Sequence, residues 1–175
     1  MQLRAVRVFA VALLASGCGL AIGATKTTNF AVSASVVSNC LINLTSTMAF
    51  GNYTPGAGNI DGTSTIAVRC TRNTPYGIGL NAGTGAGSTI AQRRMSSATV
   101  VGRLQYNLYT TNARNVVWNN RAVARATGTT QGGTGTGVAN VINHTVYGRL
   151  QDSATSQAAM PAGNYTSTIT VTLTY

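Results

Sequence analysis

Apolar and polar residues alternate with a period of two along most of this chain, most regularly at its end. Over residues 167–175, Ile169, Val171, Leu173 and Tyr175 fall on one side and Thr168, Thr170, Thr172 and Thr174 on the other. Such alternation predicts a strand with one buried face. The same period predicts a strand over 27–37, where Phe30, Val32, Ala34 and Val36 alternate with Ala31, Ser33 and Ser35. Short strands follow at 41–44 and 48–50. Residues 63–71 place Ile66, Val68 and Cys70 inward, 76–80 continue, and 104–109 set Leu104, Tyr106 and Leu108 on one face. A short extended piece at 116–118 and a long strand at 138–150 complete the set. Glycine, proline and asparagine mark loops at 51–62, 73–75, 81–88, 128–137 and 152–163. No segment sustains the i, i+3, i+4 pattern of a helix. About seven strands with loop signals between them predict an all-β sandwich with Greek-key connections.

The last strand carries a second expectation. Its pattern runs to the final residue, so no later segment is expected to pair with its free edge. Residues 167–175 contain no charge, proline or bulge signal of the kind that blunts an exposed edge. Cover from a strand of another molecule is therefore expected. The 27–37 segment precedes Cys40 and could swing free of a body anchored there.

Composition sharpens this reading. The 175 residues hold twelve Lys and Arg but only two acids, Asp61 and Asp152, and charged residues make up 8%. Solubility falls to hydroxyl and amide faces, a surface suited to assembly. Arg4 and Arg7 precede a short apolar run and the small residues 21–24, so residues 1–24 read as a secretory signal peptide. A lipoprotein signal at Cys18 is the alternative. Removal of residues 1–24 leaves ten basic residues against the two acids, about +8. It also leaves Cys40 and Cys70, which in an exported chain read as one disulfide.

Catalytic chemistry is sparse. Asp61 lies in a turn-like NIDGT stretch, Asp152 in a loop, and His144, the single histidine, within a predicted strand as a surface or partly packed side chain. There is no glutamate, no metal-ligand cluster and no GxSxG elbow. The glycine run 132–137 lacks the lysine of a nucleotide loop. No catalytic residue, metal, cofactor or small-molecule substrate is expected. The basic residues are dispersed, so nucleic acid is not an expected partner, whereas adhesion to anionic surfaces or polysaccharide stays open.

Several stretches, in order, resemble the spore coat protein U domain family, which includes subunits of archaic chaperone–usher pili. They are NFAVSASVVSNC (29–40), MAFGNYTP (48–55), STIAVRCTRNTPYGIGLNAG (64–83), RRM (93–95), LQYNLYT (104–110), VW (117–118), TVYGRL (145–150) and PAGNYTSTITVTLTY (161–175). The resemblance implies an immunoglobulin-like Greek-key sandwich lacking its last strand and completed by donor-strand exchange. A periplasmic chaperone and an outer-membrane usher would be its partners, with like subunits in a homo- or hetero-polymer. On that pattern residues 25–37 form the donor segment, with Phe30, Val32, Ala34 and Val36 filling a neighbour's groove, and residues 38–175 form the sandwich. Ile169, Val171, Leu173 and Tyr175 would line part of the acceptor groove. Cys40 and Cys70 match the family's disulfide. Ser167 departs from the acidic residue often found there, a change expected to leave the core untouched. The implied function is a non-enzymatic structural pilus subunit, secreted through the periplasm to the cell surface, supporting adhesion and biofilm. A spore or cell-coat protein assembling without an usher, and a secreted polysaccharide-binding module, are the alternatives.

Overall fold

The computed structural model describes residues 23–123, 131–152, 157 and 160–175. All but the last two positions of the expected signal segment lie outside these. The chain divides into two units, Met1–Ser35 and Val36–Tyr175. In the first, the described residues 23–35 are exposed and form no strand.

The second unit is the expected all-β sandwich. Its strands are β1 (Cys40–Thr45), β2 (Ile60–Cys70), β3 (Pro75–Leu80), β4 (Arg93–Ser96), β5 (Arg103–Tyr109), β6 (Gly132–Thr134), β7 (Ile142–Leu150) and β8 (Val171–Thr174). One sheet has the order β1-β2-β7-β5-β4, and the other β6-β3-β8. Every pairing is antiparallel. Ile66, Val68, Leu104, Tyr106, Leu108, Val146 and Leu150 from the first sheet meet Tyr76, Ile78 and Leu80 from the second, and all are buried. Alternation in β2, β5 and β7 thus does what period two dictates: one face enters the core.

Three polar contacts join the two sheets, and a disulfide staples the first sheet within itself. The Tyr76 hydroxyl lies 2.8 Å from His144 Nε2, with the rings edge to face at 5.6 Å. Trp118 is fully buried, donating its main-chain N–H to the Leu108 carbonyl (2.8 Å) and its indole N–H to the Ile78 carbonyl (3.0 Å). Arg93 on β4 donates to the carbonyls of Asn81 (2.9 Å), Leu80 (3.0 Å) and Trp118 (2.8 Å), and to Asn107 Oδ1 (2.7 Å). Its acceptors are neutral, so burial pulls the guanidinium down to about 10, still charged at neutral pH. The disulfide Cys40–Cys70 staples residues directly opposite each other on β1 and β2.

Several local expectations are corrected. Residues 48–50 form no strand, and β7 starts at Ile142 because residues 138–140 are used in a turn closed by Asn140 N–H to the Gly137 carbonyl. The loop expected over 128–137 contains β6, whose glycines let its backbone pack closely on Tyr76 and Gly77 of β3. Strand β4 arises from RRM, a stretch with no apolar alternation, because Arg93 is spent inward. Asp61 is in strand β2 rather than a turn, paired in register with Arg149 and held by its guanidinium at 2.7 and 2.9 Å, with Arg114 at 3.2 Å. That bidentate bond, followed by the Arg114 charge, keeps the Asp61 carboxyl below its usual range. In β3, Gly77 and Gly79 alternate with Tyr76 and Ile78 because the main chain of residues 120–123 crosses them where any Cβ would collide.

Candidate functional site

One side of the sandwich is unclosed. The edges concerned are β1 with its continuation to residue 53, and β8 with its lead-in from residue 164. Along the lead-in and strand, Tyr165, Ser167, Ile169, Val171 and Leu173 are half-buried, while the threonines between them are exposed. The main chain of the even-numbered residues bonds toward the body. Thr166 exchanges two bonds with Ser96, the Thr168 N–H donates to Thr84 Oγ1 (2.9 Å), and the Thr170 N–H donates to Asn81 Oδ1 (2.9 Å). Strand geometry turns the odd-numbered main-chain groups the opposite way, to an edge that no strand of the described residues covers.

Residues 46–53 form the facing wall. Ser46 anchors it, its N–H donating to the Thr65 carbonyl (3.0 Å) and its Oγ accepting from the Thr65 N–H (2.8 Å). Met48 lies over Gly148, where a Cβ would strike its sulfur, and the Phe50 ring tilts against Tyr106 at 6.0 Å. Tyr53 ends the wall with a 2.6 Å bond to Asp152, which also accepts from the Gly56 (3.1 Å) and Gly58 (2.6 Å) N–H groups. Burial, then that bond, pushes the Tyr53 phenol up to about 12; the three donors hold Asp152 below its usual value.

Between the walls run two hollows. One, of about 380 Å³, reaches Ile66, Leu80, Leu108, Val146, Ile169 and Val171; the other, of about 760 Å³, reaches Tyr53, Leu104, Leu150, Met160 and Tyr165. Met48, Phe50 and Met95 line both, so the hollows adjoin along one cleft whose inner surface is apolar. Tyr106 and Ser167 both line the first hollow, but their hydroxyl oxygens are buried out of solvent reach, with no partner outside the pair. Burial raises the Tyr106 pKa, and the Ser167 hydroxyl opposes that shift. Gly83, at φ +84°, makes room for the pair: a Cβ there would sit 2.5 Å from Ser167 Oγ and 3.2 Å from Tyr106 Oη. Ser167 therefore does touch the interior, contrary to the expectation that its identity leaves the core alone. Its place in the alternation, two before Ile169, carried that signal.

Of the expected groove residues, Ile169 and Val171 line the first hollow. Leu173 packs on the core from β8 but lines neither hollow, and Tyr175, beyond β8, is 52% exposed. Phe30, Val32 and Val36 are 86%, 84% and 85% exposed, and Ala34 is exposed too. None of residues 23–39 is in a strand. Met48, Phe50, Met95 and Met160 were not foreseen as cleft residues: 48–50 reads as a short strand with no sign of what it faces, Met95 and Met160 sit in stretches without alternation, and only the fold brings the four together. Among the described residues no His, Cys, Asp and Glu group could hold a metal ion.

Fold and cleft define a class: an immunoglobulin-like β-sandwich with an unclosed edge and an apolar groove along it. The sequence pattern of the Spore Coat Protein U domain matches residues 26–172. The chain belongs to that family. No curated protein matches it. Among solved structures, the chaperone–tip adhesion subunit pre-assembly complex CsuC–CsuE, from archaic chaperone-usher Csu pili of Acinetobacter baumannii, is similar at 22% identity and a TM-score of 0.44. That similarity covers 80% of this chain and 40% of the crystallised one, so the present chain spans less than half of its length.

Proposed function

We propose that this protein is a structural pilus subunit that polymerises by donating residues 27–37 to the cleft of the next copy. A periplasmic chaperone holds the cleft until an outer-membrane usher replaces it with the incoming segment, and the fibre is carried to the cell surface for adhesion. Membership of the Spore Coat Protein U domain family supports this. The observation that carries it is the pairing of an apolar cleft beside β8 with a period-two apolar segment that has no strand partner among the described residues. An exposed Phe30 at 86% is costly in water; burying such a side chain is worth about 1.5–3 kcal/mol. Added main-chain bonds along the odd-numbered edge would make the contact long-lived.

Phe30→Asp tests the reading. A charge in an apolar cleft opposes insertion, so the variant should lose the ladder of SDS-resistant oligomers in unboiled samples and still co-purify with its chaperone. A normal ladder from the variant refutes the assignment of the donor.

A further inference from the structure

The cleft gathers the thioethers of the chain. The sequence holds four methionines, Met1, Met48, Met95 and Met160. Met1 belongs to the expected signal segment. The other three come from separate stretches of chain, yet all of them line the cleft and all are half-buried. The closed core is built instead from side chains such as Ile66, Val68, Ile78, Leu80, Trp118 and Leu150. Cys40 and Cys70 are joined in the disulfide, so these three thioethers are the readily oxidised sulfurs of residues 25–175.

We infer that Met48, Met95 and Met160 form a peroxide-sensitive site, and that their conversion to sulfoxides shuts the cleft to an incoming strand. The first half stands on the cleft alone, and the second rests on the strand-donation reading. Hydrogen peroxide is close to water in size, and hollows of about 380 and 760 Å³ admit it to the half-buried side chains. A methionine sulfur attacks one peroxide oxygen, the O–O bond breaks, and a sulfoxide and one water form. The sulfur loses two electrons and the peroxide gains them. Met160 Sδ accepts the Arg103 N–H at 3.3 Å, which engages one of its two lone pairs and leaves the other for this step. The product is polar and larger by one oxygen, where the parent side chain was apolar and adaptable. Met48 and Met95 line both hollows, so a sulfoxide on either sets an acceptor without a donor against an apolar strand laid along the cleft. A strand already in place has the opposite effect, covering the sulfurs and shielding them from the oxidant.

Hydrogen peroxide applied to fibres assembled by the cells that make the protein, and to the full-length Phe30→Asp chain freed of its chaperone, tests both halves. Peptide mass spectrometry reads the gain of one oxygen at each methionine, with the guanidinium-unfolded chain as the reactive reference. All three should oxidise about ten-fold or more faster in the Phe30→Asp chain than in fibres. Oxidation equally slow in both, against a fast reference, overturns the site. Oxidation equally fast in both leaves the site standing and overturns the filling of the cleft by a donated strand. A second measurement reads the consequence. A synthetic peptide of residues 27–37 should bind the Phe30→Asp chain, bind about ten-fold or more weakly after peroxide, and recover once methionine sulfoxide reductases have acted. Undiminished binding, or a loss that the reductases do not reverse, overturns the closing of the cleft. No binding before treatment overturns strand donation and the closing with it, while the mass shift still decides the site. Adding Met48→Leu, Met95→Leu and Met160→Leu, which nearly conserves volume, should make peptide binding indifferent to peroxide. A loss on treatment in that variant overturns the assignment to the methionines.

Discussion

Arg93 is the residue on which the closed side of the sandwich turns. Its guanidinium supplies donors to the carbonyls of Leu80 and Trp118 and to Asn107 Oδ1, all inside the protein. Replacing it with methionine keeps the bulk and strands those acceptors, so Arg93→Met should destabilise the fold by about 3 kcal/mol. The denaturant midpoint measures this, and an unchanged midpoint would contradict it. Asp152 works at the same scale on the far end of the cleft, where it ties Tyr53, Gly56 and Gly58 together. Its pKa lies below the ordinary 3.8 because Tyr53 and two backbone N–H groups stabilise the carboxylate. A carboxyl with a depressed folded pKa contributes stability above its unfolded value and loses it as pH falls through the folded one. Asp152→Asn should therefore shrink the drop in urea midpoint between about pH 5 and about pH 2 relative to the parent chain. Neither residue's role was legible in the sequence. Arg93 reads as one of a dispersed set of arginines, and Asp152 as a loop acid, because burial and convergence belong to contacts made across long stretches of chain.

At the level of elements, β1 is an edge strand of its sheet. It has one neighbour, β2, and its register breaks between Ile42 and Leu44. The Cys40–Cys70 disulfide holds it at the start, bridging 30 residues of separation. Cys40→Ser with Cys70→Ser should cost about 3.5 kcal/mol on the chain-entropy estimate, and a denaturant midpoint equal to the parent's under oxidising conditions would rule out that contribution. The strongly alternating strands β2, β5 and β7 were legible in the sequence, since each buries one face on the core. Strands β4 and β6 were not. One spends its inward position on an arginine and the other is three residues of glycine and threonine, so neither carries an apolar period. Strand β8 is shorter than its alternation suggests, four residues instead of nine, because its lead-in meets the side chains of Asn81 and Thr84 and one residue, Ser96, at the end of β4, with no continuous ladder.

For the whole molecule, the sandwich is polarised into a sealed side and an unsealed one. Arg93, Trp118 and the Tyr76–His144 contact seal the first with polar groups whose partners lie in both sheets. On the second, a row of main-chain groups and an apolar cleft meet water. A single chain rarely keeps such an edge uncovered, since it templates pairing with another strand. The Phe30→Asp outcome belongs to this scale, for it asks whether two molecules complete one sandwich.

By itself the sequence determined the period-two faces, hence an all-β sandwich with its core on Ile66, Val68, Tyr106 and Leu108, and the pairing of the two cysteines retained after residues 1–24. Alternation is a local property, and burial of one face follows from it. Only the tertiary structure decided which edges stay apart, that Met48, Phe50, Met95 and Met160 wall a shared cleft, and that the Ser167 hydroxyl is buried beside that of Tyr106. Those depend on which distant segments meet, and period two is silent on partners.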